Sequence, residues 1–240
     1  MEIKEFREEF EKYLAELELK LDDEKIKQFY DYMNFLTEWN KKINLTAITE
    51  QKEIILKHFI DSLTISKYFD EKSTLIDVGT GAGFPGIPLK ILREDIEVTL
   101  VDSLNKRVIF LEEVIKILKL KNIRAIHGRA EEIGRNNEYR EKFDYVTSRA
   151  VANIATLSEY LIPLVKEKGK CICMKGPDIA EELENGKKAI SVLGGKVIKK
   201  EEFDLPLTDI KRTILVIEKI KNTPQKFPRK AGIPSKEPIT

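Results

Sequence analysis

With 240 residues, 42% of them apolar and 35% charged, the chain can bury the core of one large α/β domain, which excludes disorder over most of its length. Net charge is only +1, but Lys211 to Thr240 carries eight Lys or Arg against two Glu, leaving the preceding 210 residues negative. That asymmetry points to a polyanionic partner for the tail.

The first 45 residues read as helices. Phe6, Phe10, Tyr13, Leu14 and Leu17 form one stripe; after a cap signal at Asp22 and Asp23, a second runs through Ile26, Tyr30, Met33 and Leu36. "NKKINLTAIT" breaks the pattern as a loop, and a further helix is expected from about Glu50 to Tyr68, containing "KHFIDSL".

From Ser73 onward strands alternate with helices. "STLIDV", "IEVTLVD", "IRAIHG", "FDYVTSRA" and "GKCICMKG" read as successive strands; "KVIKKEEFDL" and "RTILVIEKI" are spaced like an antiparallel pair. The second of the intervening helices carries Leu104, Val108, Leu111, Ile115 and Leu118 on one stripe, with Ser103 as its expected N-cap. This order predicts a mostly parallel, seven-stranded sheet with right-handed crossovers and helices on both faces. Ligands of such sheets bind at the carboxyl ends of the strands, near the switch in strand order.

The expected division is an N-terminal helical cap over residues 1–70, an α/β core over 71–221 and a basic tail over 222–240. No apolar run approaches the roughly 18 residues of a spanning helix, and "MEIKEFREEF" is charged where a signal peptide is apolar. A cytoplasmic protein without a membrane segment is expected. Cys171 and Cys173 stand two apart on one strand, so buried thiols on one face are expected. With only two histidines, His58 and His127, there are too few ligands for a zinc site, and no metal is expected.

After the first strand comes "DVGTGAGFPGIP", Asp77 to Pro88. Gly81, Gly83 and Gly86 match the G-x-G-x-x-G of dinucleotide folds literally, but Gly79 and Thr80 intervene before the first of them, which is poor register. The other pattern starts with the strand-end acid: Asp77, then Gly79, Gly81 and Gly83 at alternate positions. Such a chain can pass close to an amino-acid moiety, with Asp77 placed to receive an ammonium, a use suited to S-adenosylmethionine.

Asp102 ends the second strand, where a carboxylate can accept both ribose hydroxyls of either cofactor. At the third strand end Ala130 offers a main-chain N–H, and Glu131 an acceptor, to an adenine edge; alternatively "RAEEI" merely opens a helix with acids that suit its dipole. A hydride-transfer enzyme needs a substrate domain and a proton donor. The chain has neither room for the one nor a spare histidine for the other, so an NAD-dependent oxidoreductase is the weaker reading.

Taken together, "NLTAI", "KHFIDSL", "LIDVGTGAGFPGIPLKI", "LVDSLNKRVIFLEEV", "HGRAEE", "FDYVTSRAVA" and "PRKAGIPSKEPI" resemble the bacterial small-subunit ribosomal RNA guanine-N7 methyltransferases, also called the glucose-inhibited division protein B family. The match runs in order from about Asn40 to the C-terminus. The resemblance implies a Rossmann-like class I methyltransferase that moves a methyl group from S-adenosylmethionine to N7 of a guanine in the 530 loop of 16S rRNA. It implies cofactor contacts from Gly79 and Phe84 at the methionine part, Asp102, Ser103 and Leu104 at the ribose and adenine, Ala130 and Glu131 at the adenine, and Arg149 after the fourth strand. The implied partner is 16S rRNA or the 30S particle, with the enzyme acting as a monomer.

The chemistry agrees. Guanine N7 holds an in-plane lone pair and no proton, so it attacks a sulfonium methyl without a general base, and no catalytic acid, base or nucleophile is expected. Alignment of the reacting atoms about 3 Å apart is the main demand. "TSRAVA" is not the Asn/Asp-Pro-Pro-aromatic loop that grips an exocyclic amine, and neither cysteine follows a strand as a C5 nucleophile does.

Arg149 has three readings: a cofactor contact, an RNA phosphate contact, or a donor to guanine O6. His58, Asp61 and Ser62 lie at helical spacing; a network orienting the cap is expected, because N7 methylation needs no triad. Lys175, Arg212, Arg229, Lys230 and Lys236 are the expected RNA contacts. A non-catalytic RNA-binding or assembly factor on the same fold is the other class of reading. The acids and glycines at three successive strand ends argue against it.

Overall fold

The computed structural model describes residues 1–240. Helices α1 (Ile3–Glu16) and α2 (Asp23–Ile43) open the chain, and Asp22 caps α2 by accepting from the Lys25 N–H at 2.8 Å. The stripes are displaced slightly from expectation: Phe29 and Tyr32 are fully buried, whereas Tyr13, Leu17 and Tyr30 sit at the edge of the core. The helix expected over 50–68 is not regular. A turn α3 (Gln51–Ile54) runs into a π-helical stretch, Ile55–Ile60, then α4 (Asp61–Leu63) and a 3₁₀ turn, Ser66–Tyr68. Single-turn π segments gather at functional sites, and this one carries His58.

The α/β part follows as β1 (Thr74–Val78), α5 (Gly86–Leu92), β2 (Glu97–Asp102), α6 (Asn105–Ile117), β3 (Ile123–His127), α7 (Ala130–Arg135), β4 (Phe143–Arg149) and α8 (Ile154–Leu161). It ends with β5 (Val165–Lys175), α9 (Ala180–Leu193), β6 (Gly195–Asp204), β7 (Lys211–Lys219) and a last turn α10 (Ile233–Lys236). The sheet order is β3-β2-β1-β4-β5-β7-β6. The first five strands are parallel, and β7 is antiparallel to both β5 and β6. The order reverses between β1 and β4, which puts Gly79 and Arg149 at the switch point where open α/β sheets bind ligands.

Alternation along each strand feeds two cores. Leu75, Leu100, Ile172 and Val216 face a layer that also buries α1, α2 and the 51–65 segment, so the N-terminal helices share one apolar cluster with the sheet. Ile76, Val101, Cys171, Cys173 and Ile217 face the layer built by α8 and α9. Both thiols lie buried on one face, as their spacing predicts, and burial pushes the Cys173 pKa up to about 12.

Ser103 does not cap α6. The helix begins two residues later, at Asn105, because the Asp102 carboxylate takes the Leu104 N–H at 2.9 Å and holds the chain extended through that point. The 222–240 segment is not a free tail. Arg140 donates to the carbonyls of Thr223, Pro224 and Phe227, Arg135 to that of Pro228, and the Phe227 ring is buried.

Candidate cofactor and substrate clefts

The loop after β1 is organised by its strand-end acid. Asp77 is fully buried; its Oδ2 accepts from Thr80 Oγ1 at 2.7 Å and from the Gly86 N–H at 2.9 Å, tying both ends of the loop to β1. Its Oδ1 has no partner, and burial raises its pKa to about 6. Gly86 is glycine because a Cβ there would stand 2.3 Å from Leu100 Cδ2 and 3.0 Å from Asp77 Oδ2. Gly79 has φ +70°, and a Cβ on it would meet Val151 Cγ2 at 2.6 Å. Tyr32 of α2 donates its hydroxyl to the Ala82 carbonyl, so the cap also grips this loop.

These bonds decide between the two cofactor classes. A pyrophosphate needs free N–H groups at the helix N-terminus. Here the first of them already serves a buried carboxylate, and Pro85 and Pro88 remove two more. The literal G-x-G-x-x-G match is therefore not a phosphate cradle.

Beside the loop lies a cleft of about 310 Å³, lined by Val78 and Gly79 at the end of β1, Val101 to Ser103 at the end of β2 and Gly128 to Glu131 between β3 and the first turn of α7, with Val151, Tyr160, Gly232 and Ser235 closing it. Asp102, 2% exposed, fixes the floor: its Oδ2 accepts from the Gly81 N–H at 2.9 Å and from Arg107, while Oδ1 accepts from Leu104. Leu104 itself is 42% exposed beside it. Ala130 opens α7, so its N–H has no acceptor within the helix. Glu131 Oε1 accepts from the Gly232 N–H at 2.8 Å, leaving Oε2 without a protein donor. One carboxylate at the end of β2 and one in the first turn of α7, flanked by bare backbone with no cationic head on the lining except Arg129, suit hydroxyl and amino donors and do not suit a phosphate.

Arg149 and Phe84 are not on that lining. The Phe84 ring is buried, stacked on His58 at 4.4 Å between centroids and on Tyr32 at 5.5 Å, with the Arg149 guanidinium 5.1 Å from its centre. Only its backbone belongs to the loop. Arg149 points into a second cleft of about 380 Å³, lined by Ile48, Lys57, His58, Asp61, Ala150, Met174, Lys175, Gly176 and Arg212. The 149–151 segment separates the two clefts: Ala150 lines one and Val151 the other.

A hydrogen-bond chain builds the second cleft. Arg149 donates to the Lys57 carbonyl at 2.9 Å, to Asp61 Oδ2 at 3.2 Å and to His58 Nδ1 at 2.9 Å. Because a guanidinium only donates, His58 Nδ1 accepts, and Nε2–H donates to Thr46 Oγ1 at 2.9 Å. Burial and the adjacent guanidinium push the His58 pKa down to about 3, so the ring is neutral. Asp61, buried at 3% exposure, also pairs with Arg212 Nε at 3.1 Å. The three side chains expected to form a network do not bond one another: His58 and Asp61 are joined only through Arg149 of β4, and Asp61 reaches on to Arg212 of β7. Ser62 bonds only the His58 carbonyl.

Of the expected RNA contacts, Lys175 is tied to the Ala152 carbonyl and to Glu182 at 2.6 Å. Arg229 forms a fork on Glu159, whose side chain is 1% exposed, and only Lys230 and Lys236 are solvent-exposed and without an ion pair. Thr46, Tyr32 and the cleft-closing Tyr160, Gly232 and Ser235 escape sequence reasoning. Thr46 lies in "NLTAI" and Gly232 and Ser235 in "PRKAGIPSKEPI", motifs whose chemistry is not visible in one dimension, whereas Tyr32 and Tyr160 lie in none of the quoted motifs.

The sequence signature of the GidB family, described as rRNA small subunit methyltransferase G, matches residues 25–210. The chain belongs to this family. Proteins named ribosomal RNA small subunit methyltransferase G from Alkaliphilus metalliredigens and Clostridium tetani are each 54% identical to it, covering 93% and 91% of the chain and 95% and 92% of their own length. One from Alkaliphilus oremlandii is 56% identical over 93% of the chain and 94% of its own length. Among solved structures, M. jannaschii TYW2 in complex with AdoMet superposes with a TM-score of 0.53 at 20% identity, over 67% of this chain and 75% of that one. The YcgJ protein from Bacillus subtilis gives 0.52 at 14%, over 69% and 100%. At such identities the likeness is one of fold. The enzyme is thus an S-adenosylmethionine-dependent methyltransferase of the class I fold. No helix is long and apolar enough to cross a membrane, and no cluster of His, Cys, Asp and Glu is arranged to hold a metal.

Proposed function

We propose that the enzyme methylates N7 of a guanine in the 530 loop of 16S rRNA, with S-adenosylmethionine in the 310 Å³ cleft and the guanine in the 380 Å³ cleft. The observation that carries the reading is the abutment of the two clefts on either side of residues 149–151, at the switch point of the sheet. When bound, the cofactor supplies an electrophilic sulfonium methyl. Asp102 receives the ribose hydroxyls, Glu131 Oε2 the adenine amino group, and Gly79 lets the chain run close to the methionine part. Ser103 and Ala130 complete the nucleoside pocket, and Leu104, exposed beside Asp102 and outside the lining, covers its edge.

On the other side, the second cleft carries Lys57, Arg149, Lys175 and Arg212 against one acid, Asp61, a balance suited to an anionic nucleotide. Three of the five guanidinium N–H bonds of Arg149 are spent on Lys57, Asp61 and His58, which fixes its plane and leaves donors for guanine O6. No residue of the cleft acts as a base, since N7 carries no proton and His58 is committed to Arg149. Rate acceleration then comes from alignment alone. Lys230 and Lys236, exposed on the C-terminal segment, engage phosphates. A monomer acting in the cytoplasm on rRNA or on the 30S particle completes the proposal.

The test is incubation with tritiated S-adenosylmethionine and rRNA or 30S particles lacking the modification, followed by digestion and mass spectrometry of the labelled base. Label on a guanine N7 of the 530 loop is expected. Cofactor binding with no label on rRNA or on 30S particles removes the substrate assignment.

A further inference from the structure

The basic C-terminal segment looks from its sequence like an RNA arm, yet its structure is that of a strap. Three buried or half-buried anchors pin it. Arg229 engages the buried Glu159 through Nε and Nη2, and its own N–H donates to Glu159 Oε1 at 2.6 Å. Arg140 collects the carbonyls of Thr223 and Phe227 at 2.8 and 2.7 Å. Thr156 of α8 donates to the Pro234 carbonyl at 3.0 Å, and Pro234 is buried. Anchoring this dense fixes the backbone of the segment against α7 and α8, while its exposed Lys230 and Lys236 side chains face solvent.

The strap leads to the cofactor cleft. Gly232 and Ser235 are part of its lining, facing Glu131 and Tyr160. Gly232 adopts φ +83°, a conformation side chains disfavour, although a Cβ there would touch nothing within 4 Å. The glycine therefore serves the backbone direction rather than space, and that direction aims its N–H at Glu131 Oε1, 2.8 Å away. Glu131 is 5% exposed, and this is its only hydrogen bond from the protein.

We infer that residues 227–236 form the outer wall of the S-adenosylmethionine cleft and that the Gly232 N–H is a positioning group, which orients the Glu131 carboxylate for the adenine amino group. This rests on the cofactor reading above and deepens it. Glu131 then meets the adenine with one oxygen already held, so no ordering cost falls on the ligand. The segment's chief contribution is to cofactor affinity.

Two measurements test this on the full-length protein. In the first, Gly232→Pro removes the donor and the left-handed backbone, and calorimetry with S-adenosylmethionine is compared with wild type after a melting curve confirms folding. Loss of one charge-assisted hydrogen bond should weaken binding by about tenfold or more. In the second, hydrogen–deuterium exchange on the wild type should slow over 228–237 when S-adenosylmethionine is added, a readout that does not depend on any variant folding. Unchanged affinity in the folded variant, or no protection in the wild type, overturns the inference. So does intact cofactor affinity with rRNA affinity reduced, which would leave the segment with phosphate contacts alone. A wild type that does not bind S-adenosylmethionine at all would instead remove the underlying cofactor reading.

Discussion

Arg149 Nη2 stands 2.9 Å from His58 Nδ1, and with the bond from Nη1 to the Lys57 carbonyl this contact joins the switch-point strand to the π-helical stretch of the N-terminal segment. It requires a neutral imidazole whose Nδ1 accepts, which is the tautomer that the Thr46 contact at Nε2 completes.

The first prediction concerns pH. His58 titrates near 3 in the native state, against about 6.5 in an unfolded chain. Between those values the unfolded state binds the extra proton, so this residue's contribution to stability falls as pH drops below 6.5. The slope approaches about 1.4 kcal/mol per pH unit. Urea unfolding from pH 7.5 to 4.5 should show His58→Asn losing stability less steeply than wild type, with equal slopes as the contrary result.

Asp77 has the opposite sign. Its pKa is raised to about 6 by burial, with Oδ1 unpaired, so the native state holds a proton that the unfolded chain has lost above about 4. The resulting stability is present at low pH and lost as pH rises through 6. At pH 8, Asp77→Asn should therefore be more stable than wild type by about 3 kcal/mol, the worth of a shift of about two pH units. An unfolding midpoint at or below that of wild type would mean that the Thr80 and Gly86 bonds need a charged acceptor.

Arg149→Ala should separate the two clefts. Because the guanidinium lies in the second cleft, S-adenosylmethionine affinity should stay near wild type, while turnover falls by about a hundredfold through lost alignment. Calorimetry alongside single-turnover methylation checks both. A large loss of cofactor affinity would return Arg149 to the cofactor cleft, and near-normal turnover would remove its role.

The basic residues of the C-terminal segment should behave unequally. Arg229→Ala strips the buried Glu159 carboxylate of its guanidinium and leaves it only the main-chain N–H of position 229, at a cost of about 3 kcal/mol, visible as a lowered Tm. Lys230→Ala and Lys236→Ala should leave Tm alone, and each should reduce the logarithmic salt slope of rRNA binding by about one. Filter binding at several salt concentrations decides it, and equal slopes for all three variants would deny the lysines a phosphate contact.

Periodicity and composition made the sheet, its helices, the buried thiols and the strand-end acids legible, because these depend on burial faces that repeat along the chain. Asp77 and Asp102 announce themselves at the ends of strands, and Glu131 shortly after one, in an α/β pattern where the fold class alone implies a ligand. Ser103 did not become a cap, because the neighbouring Asp102 carboxylate competed for the same backbone and won.

What only the tertiary structure decided are relationships between distant segments. Arg149 faces His58 and Asp61 across about 90 positions, and the Gly232 N–H meets Glu131 across 101. No local pattern encodes such pairs. The direction of a side chain at a strand end is set by what packs over it, and here the cap and the C-terminal strap supply that packing. Residue type and spacing fixed which chemistry was present in this protein. The folded chain decided which groups meet: the second cleft received Arg149, and the basic segment became a wall of the first.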